Sequence, residues 1–281
     1  GKFLWYDNHV MKKLRRYAGM IWQTVSPVFI FWGVTAAVVS AFGILWMMLG
    51  SRLTFLYSHM VDVTLLLSGA AALWAAWILW RIDGREGIWY GEVRRKLPAE
   101  AVLPCIGTAV GASVAGNCLL SLLHLTELGS GQAQSALEQG NPVVVIVSTC
   151  LAAPLAEEMV FRVLTYRRLR RNMNTVPAVA VSALLFALYH GNISQGLYAF
   201  FVGAALALLM EAYDSAAAPI LAHMAANTVS VLLTWAGTGD ILSVGIFRRA
   251  AAILIFGGIL VLSLRRAAAY GKKRLTEGGT T

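Results

Sequence analysis

Long apolar runs separated by short polar clusters make up most of this sequence. The runs lie at 24–49, 61–80, 101–123, 142–166, 176–190, 194–212, 215–236 and 246–264. Most of them reach the roughly 20 residues that an α-helix needs to cross the ~30 Å hydrocarbon core of a bilayer. The pattern therefore predicts an all-α fold, a polytopic membrane bundle of about eight transmembrane helices.

Two segments depart from this simple pattern. Residues 2–17 are basic and amphipathic, which predicts a separate helix lying at the membrane surface. The run 176–190 would form a helix only ~21 Å long, too short to cross. We therefore expect the turn 191–194 to lie within the bilayer, where the polar groups of Asn192 and Ser194 need partners or water.

The amino-acid composition also indicates a membrane protein, and nothing in it indicates a second, soluble domain. The chain is 58% hydrophobic and 13% charged, whereas about 25% of the residues of a soluble domain are charged. We expect one transmembrane domain over 1–281. Its parts are an interfacial helix with the first three membrane helices (1–140), core helices four to seven (141–236), and the last helix with a basic tail (237–281). Three cysteines lie inside apolar runs and are expected to be buried hydrophobes.

The basic residues lie beside the apolar runs, and the formal net charge is +9. Basic loops next to membrane helices face the cytoplasm and attract anionic headgroups. We therefore expect membrane lipids as partners, no nucleic acid, and both termini in the cytoplasm. The rim from Arg167 to Arg171 could hold a carboxylate terminus or lipid headgroups, and lipid headgroups are favoured. Glu211 and Asp214 depart from the positive trend.

Ionisable side chains occur inside the fourth apolar run, where each is a candidate functional group. Glu158 and Arg162 are four residues apart, so they share a helix face and are expected to form an ion pair. Glu157 points about 100° away and has no partner in its own helix, which makes it a candidate general base. An interfacial Glu-Glu-Arg network that joins helices is the structural alternative.

Two later runs carry further polar side chains. His190 ends the run 176–190, where a histidine can also simply cap a helix C-terminus. His223 and Asn227 are four residues apart in the seventh run, so both face the same way and can donate jointly to one oxygen atom. An interhelical hydrogen-bonded pair is the alternative for these two residues.

Together these residues form three short motifs that occur in order on predicted membrane helices. They are Glu-Glu-x-x-x-Arg at 157–162, Phe-x-x-x-His at 186–190 and His-x-x-x-Asn at 223–227. Over roughly 140–235 the chain resembles the CPBP family, the CAAX proteases and bacteriocin-processing enzymes also called the Abi family. No signature is visible in the first three helices.

The resemblance implies an intramembrane glutamate peptidase that forms no covalent acyl-enzyme. In that interpretation Glu157, assisted by His190, activates a water, and His223 with Asn227 forms the oxyanion hole. Glu158 and Arg162 support the fourth helix. No cofactor or metal is expected. The expected substrate is a membrane-associated peptide or protein, with or without a lipid, and the site is expected to open to the cytoplasm of a prokaryotic cell membrane.

Other protease classes have only partial signals. Asp214 and Asp240 resemble the motifs of aspartyl intramembrane proteases, but the seventh helix separates them by ~30 Å, whereas aspartates that share one proton lie a few ångströms apart. A rhomboid-type serine site is excluded because Gly111-Ala112-Ser113 is followed by Val114 instead of glycine.

Two alternatives use the same polar cluster. Glu157, His190 and His223 could form a three-ligand zinc site, although no His-Glu-x-x-His motif occurs. A non-catalytic protein of membrane binding, immunity or transport could also use the cluster as a structural or ligand site. The variant Glu157→Gln tests the enzyme hypothesis, because a variant that folds normally and keeps full cellular function would count against an enzyme.

Overall fold

The computed structural model describes residues 2–49, 58–83, 95–125, 131–237 and 245–278, apart from the side chains of residues 2–9, 132 and 133. Within these ranges the chain forms nine helices. They are α1 (Lys2–Leu49), α2 (Met60–Asp83), α3 (Val102–Leu122), α4 (Gly131–Gln139), α5 (Pro142–Asn172), α6 (Thr175–Tyr189), α7 (Ile193–Tyr213), α8 (Ala217–Trp235) and α9 (Ile246–Gly278).

Seven of these helices are long and apolar enough to cross a membrane, and α6 is a shorter apolar helix. This result confirms the predicted all-α membrane bundle and the shortness of the run 176–190. The side chain of Asn192, in the turn after α6, finds its hydrogen-bond partners within the same turn. It caps α7 by accepting from the backbone N–H of Gln195 and donates to the side-chain oxygen of Gln195, both at 2.8 Å. Burial of this turn within the bilayer stays a prediction.

The helices extend beyond the predicted apolar runs at three places. The basic segment 2–17 is not a separate helix, since α1 continues without a break from Lys2 to Leu49. The basic tail likewise continues α9 as far as Gly278. The polar segment 124–141 contains the short helix α4. Helical hydrogen bonds join residues four apart, so polar residues can continue a helix past an apolar run.

The fourth membrane helix, α5, changes its winding twice. Wider π-helical turns occupy Ile146–Ala152 and Met159–Tyr166, with an α-helical segment Ala153–Glu158 between them. Pro154 follows the first wide turn, where its missing N–H suits an interrupted hydrogen-bond pattern. Such turns insert one residue and are frequent at functional sites. The two adjacent glutamates therefore lie at the end of a short regular segment between two irregular ones.

Asp214 joins separate parts of the chain at the end of α7. Its backbone is left-handed, with a φ of 52°, and its carboxylate accepts ion pairs from Arg95, Arg167 and Arg274. Asp214 therefore holds the segment before α3, the end of α5 and the end of α9 to one point.

Glu211 and Asp83 bind two further arginines of the α5 rim. The carboxylate of Glu211 forms an ion pair with Arg170 at 2.8 Å and accepts a hydrogen bond from the Tyr166 hydroxyl at 2.7 Å. Asp83 forms an ion pair with Arg168. Three of the four rim arginines thus bind acidic side chains of the protein, and binding of lipid headgroups at this rim stays a prediction. The acids that depart from the positive trend are the partners of these arginines.

Helices α3 and α9 approach each other closely at Gly111. A Cβ atom at this position would lie 2.7 Å from the backbone nitrogen of Leu260 and from the backbone oxygen of Phe256. Backbone atoms cannot turn aside as a flexible side chain can. The contact therefore depends on a residue without a side chain, as is common between membrane helices.

We expect Gly111→Ala to destabilise the protein by about 1–3 kcal/mol, because the extra methyl group forces two helix backbones apart. Thermal unfolding in detergent measures the effect. Gly258→Ala is the matched control, because a Cβ at Gly258 in α9 meets nothing within 4 Å. Equal unfolding midpoints for the two variants would show that the α3–α9 contact tolerates the methyl group.

Candidate active site

The residues of the three sequence motifs meet where α5, α6 and α8 pack together. Glu157 and Glu158 end the regular segment of α5, His190 follows the last turn of α6, and His223 and Asn227 lie in the first half of α8. A phenyl ring from α6, that of Phe186, contacts both imidazole rings, at 4.7 Å from His190 and 5.6 Å from His223 between ring centroids.

Glu158 is the centre of a buried ion network. Its Oε2 atom lies 3.2 Å from Nε of Arg162, and its Oε1 atom lies 2.8 Å from Nδ1 of His223. Glu158 and Arg162 are fully buried, and the guanidinium lies over the ring of Phe186 at 4.6 Å. The predicted ion pair between Glu158 and Arg162 is therefore confirmed, and it also reaches the neighbouring helix α8.

This network determines which nitrogen of His223 carries a proton. An ionised carboxylate only accepts hydrogen bonds, so Nδ1 of His223 donates to Glu158. The other ring nitrogen, Nε2, then faces Glu157 at 3.8 Å from its Oε2 atom. Because this distance exceeds hydrogen-bonding range, each of the two atoms can still bind a water or a substrate atom.

Glu157 points into the bundle. Its side chain is 12% exposed, whereas that of Leu155, two residues earlier in α5, is on the surface. The carboxylate lies between the histidine of α8 and the aromatic residues of α6, where Tyr189 is within electrostatic range. Glu157 points away from the face shared by Glu158 and Arg162, as the helix geometry predicts, and the two carboxylates approach opposite nitrogens of the same His223 ring.

His190 is also held in one tautomer. Its Nδ1 atom lies 2.8 Å from the backbone oxygen of Phe186, one turn earlier in α6. A carbonyl oxygen can only accept, so Nδ1 is the donor and Nε2 carries the lone pair of the neutral ring. The ring is half-buried, and its Nε2 atom is the nitrogen that can accept a proton.

Asn227 uses one amide hydrogen to fix its position. Its Nδ2 atom donates at 2.9 Å to the backbone oxygen of Thr149. Thr149 lies in the first wide turn of α5, where the altered hydrogen-bond spacing leaves carbonyl groups available for side chains. An amide group has two N–H donors, so one further donor remains for a ligand.

The first membrane helix contributes an aromatic wall that the sequence did not predict. Phe31 is fully buried, although most of α1 is exposed, and its ring lies 5.2 Å from Tyr189 and 6.3 Å from Phe161. Tyr189 is next to His190 in the chain. Its adjacency to a motif histidine was the available signal, whereas no pattern distinguished Phe31 from the other aromatic residues of α1.

The two other proposed sites differ in what the described residues show of them. Among those residues, no group of three or more His, Cys, Asp and Glu side chains is placed to hold a metal ion. Asp214 lies within its arginine cluster, and its proposed aspartyl partner Asp240 falls outside the described residues.

Residues 139–229 match the model of a protein family described as type II CAAX prenyl endopeptidase Rce1-like. The matched segment is about a third of the chain and contains every residue of the candidate site. It confirms the resemblance to the CAAX protease family and the protease and membrane character expected of the chain. No curated protein and no solved structure matches the chain.

Proposed function

We propose that this integral membrane protein, whose residues 139–229 match the CAAX prenyl endopeptidases, is an intramembrane endopeptidase of the glutamate type. The family acts on membrane-associated protein substrates. The single observation that carries the proposal is the contact of Glu157 with His223, 3.8 Å between Oε2 and Nε2, inside a cluster that also holds His190 and Asn227. The lipidated character of the substrate is part of the proposal.

Glu157 and His190 form the base side of the proposed reaction. A water bound between the carboxylate of Glu157 and Nε2 of His190 loses a proton to Glu157 as it attacks the scissile carbonyl carbon. Both groups can accept this proton, because Glu157 forms no ion pair with a guanidinium among the described residues and His190 has its lone pair on Nε2. Glu157 then delivers the proton to the departing amine, and no covalent enzyme intermediate forms.

His223 and Asn227 form the oxyanion side. The oxygen of the tetrahedral intermediate receives the second amide N–H of Asn227 and the Nε2–H of a doubly protonated His223. Glu158 stabilises that positively charged ring through Nδ1 at 2.8 Å. Fixed donors aimed at developing negative charge stabilise it without reorganisation at the moment of reaction. Arg162 provides the counter-charge to the buried carboxylate of Glu158.

The proposed orientation places the basic end of the bundle in the cytoplasm. The ends of α5, α7 and α9 that share the Asp214 cluster lie on this side. Basic residues beside membrane helices favour the cytoplasmic face. A substrate anchored in the inner leaflet would then approach the site from the membrane and the cytoplasm.

A cleavage assay on two peptides tests the proposed function. Both end in the same cysteine-containing CAAX sequence, and one carries a farnesyl group on that cysteine. We expect hydrolysis of the farnesylated peptide, detected by mass spectrometry of the released fragment, at least about tenfold faster than that of the unmodified peptide. A metal chelator should leave the rate unchanged.

His223→Ala should reduce the rate by roughly 10²–10³, as removal of an oxyanion donor does. His124→Ala is the control, because His124 lies in the turn after α3, away from the α5, α6 and α8 contact. Absence of hydrolysis by the native protein, or equal rates in the two histidine variants, would contradict the peptidase proposal. Loss of activity in chelator would support the zinc alternative.

A further inference from the structure

A groove lies at the basic end of the bundle, away from the polar cluster of α5, α6 and α8. It has a volume of about 230 Å³, and a water molecule occupies roughly 30 Å³ in the liquid. The space therefore suits a polar group of several heavy atoms. Its lining combines acidic, basic, aromatic and apolar side chains: Glu100, Leu103, Pro104, Tyr213, Arg266 and Tyr270.

The groove follows from the way α3 and α9 pack. The two helices touch closely at Gly107, where a Cβ would lie 2.3 Å from the hydroxyl oxygen of Ser263. About one turn further along, larger residues replace the glycine, and the ring of Tyr213 at the end of α7 packs at 5.0 Å against that of Tyr270. The groove is thus bordered by the start of α3, the end of α7 and the side of α9.

The two charged residues of the groove have opposite signs. Glu100 precedes α3 and Arg266 lies in α9, and both are exposed. In the part of the chain that the structure describes, neither takes part in an ion pair, whereas neighbouring Arg274 pairs with Asp214 at 2.6 Å. The groove therefore offers one carboxylate and one guanidinium with no net charge.

Apolar surface leads from the groove toward the bilayer. Leu103 on α3 is 66% exposed and Leu262 on α9 is 61% exposed, and both lie on the membrane side of the charged residues. Tyrosines such as Tyr213 and Tyr270 concentrate at the level of lipid headgroups. A ligand with a polar head and apolar chains would match this order of side chains.

We infer that the groove binds a phosphatidylethanolamine-type lipid. The phosphate would accept hydrogen bonds from Arg266, whose planar guanidinium suits phosphate oxygens. The primary ammonium would donate to Glu100 and lie against the tyrosine rings, which attract cations. The acyl chains would follow Leu103 and Leu262 into the bilayer.

The charge pattern favours this headgroup over two common alternatives. A phosphatidylcholine headgroup carries a quaternary ammonium, which has no N–H to donate to Glu100. A phosphatidylglycerol headgroup has a net negative charge, and it would satisfy Arg266 but bring no cation to Glu100. Only the zwitterion with a primary ammonium provides a partner for both residues.

The test is native mass spectrometry of the purified full chain in detergent with equal amounts of dioleoyl-phosphatidylethanolamine, -phosphatidylcholine or -phosphatidylglycerol. We expect at least about fivefold more retained phosphatidylethanolamine than either other lipid. Arg266→Gln should reduce that retention at least about fivefold, and Glu100→Gln should remove the preference over phosphatidylcholine.

Arg265→Gln is the matched control, because Arg265 is equally exposed on the same turn of α9 but does not line the groove. Equal losses in Arg265→Gln and Arg266→Gln, or equal retention of the three lipids by the native chain, would overturn the inference. Circular dichroism checks that each variant keeps its helix content. This inference does not depend on peptidase activity, since the readout is lipid retention.

Discussion

Glu157→Gln is expected to lower peptide hydrolysis by roughly 10³-fold, within the 10²–10⁴ range for a positioned general base. Glutamine has nearly the same shape and keeps one oxygen that can accept a hydrogen bond, but it cannot take a proton from water. The farnesylated peptide of the cleavage assay measures the rate. Because the carboxylate has no ion pair with Arg162, the variant should keep the unfolding midpoint of the native protein.

Glu138→Gln is the matched control for this prediction. Glu138 is in α4, where its Oε1 atom accepts a hydrogen bond from Gln134 at 2.9 Å, and it lies outside the polar cluster. The control should hydrolyse the peptide at the native rate. If Glu157→Gln keeps more than about a tenth of the native rate, Glu157 is not the general base, and the polar cluster has a structural or ligand-binding role.

Arg162→Leu is expected to destabilise the protein by roughly 3–5 kcal/mol, the cost of leaving one partner of a buried ion pair without its counter-charge. Glu158 is fully buried, and Arg162 is the guanidinium that contacts its carboxylate. The stacking of Arg162 on Phe186 at 4.6 Å is lost as well. Thermal unfolding in detergent measures the effect. Arg171→Leu, at the exposed end of α5, is the control and should leave the midpoint unchanged.

The double variant Glu158→Leu with Arg162→Leu distinguishes a charge effect from a packing effect. Removal of both charges should recover much of the stability lost in Arg162→Leu, because a buried ion pair replaced by apolar groups is often neutral. The same double variant should remain inactive, since His223 has lost the acceptor of its Nδ1 proton. If the two substitutions destabilise additively, the residues are not energetically coupled.

These predictions assign different roles to two adjacent carboxylates. Glu158 is neutralised by Arg162 and His223 and is therefore suited to hold a charge in place. Glu157 lies 3.8 Å from the far nitrogen of the same histidine and keeps its capacity to accept a proton. The difference arises from the helix angle of about 100° between neighbouring residues, which directs one carboxylate to an arginine and the other toward α6 and α8.

The sequence alone was sufficient for the helices and for the pairs within them. Apolar runs predict membrane helices because the bilayer requires an apolar length, and the shortness of α6 followed from the same count. The pair Glu158 and Arg162 was predictable because residues four apart always share a helix face. Continuation of α1 and α9 beyond the apolar runs was missed, since polar residues can also be helical.

Contacts between helices were not available from local rules. Three sets of contacts join residues far apart in the chain. They are the hydrogen bond from His223 to Glu158, the one from Asn227 to Thr149, and the ion pairs of three arginines with Asp214. Their formation depends on the rotation and depth at which whole helices pack, and the wide turns of α5 alter that rotation. The sequence therefore determined which side chains enter the membrane, and only the tertiary structure decided which atoms of those side chains meet. The physical reason is that helix periodicity is a property of neighbouring residues, whereas the distance between two helices depends on all the side chains that pack between them.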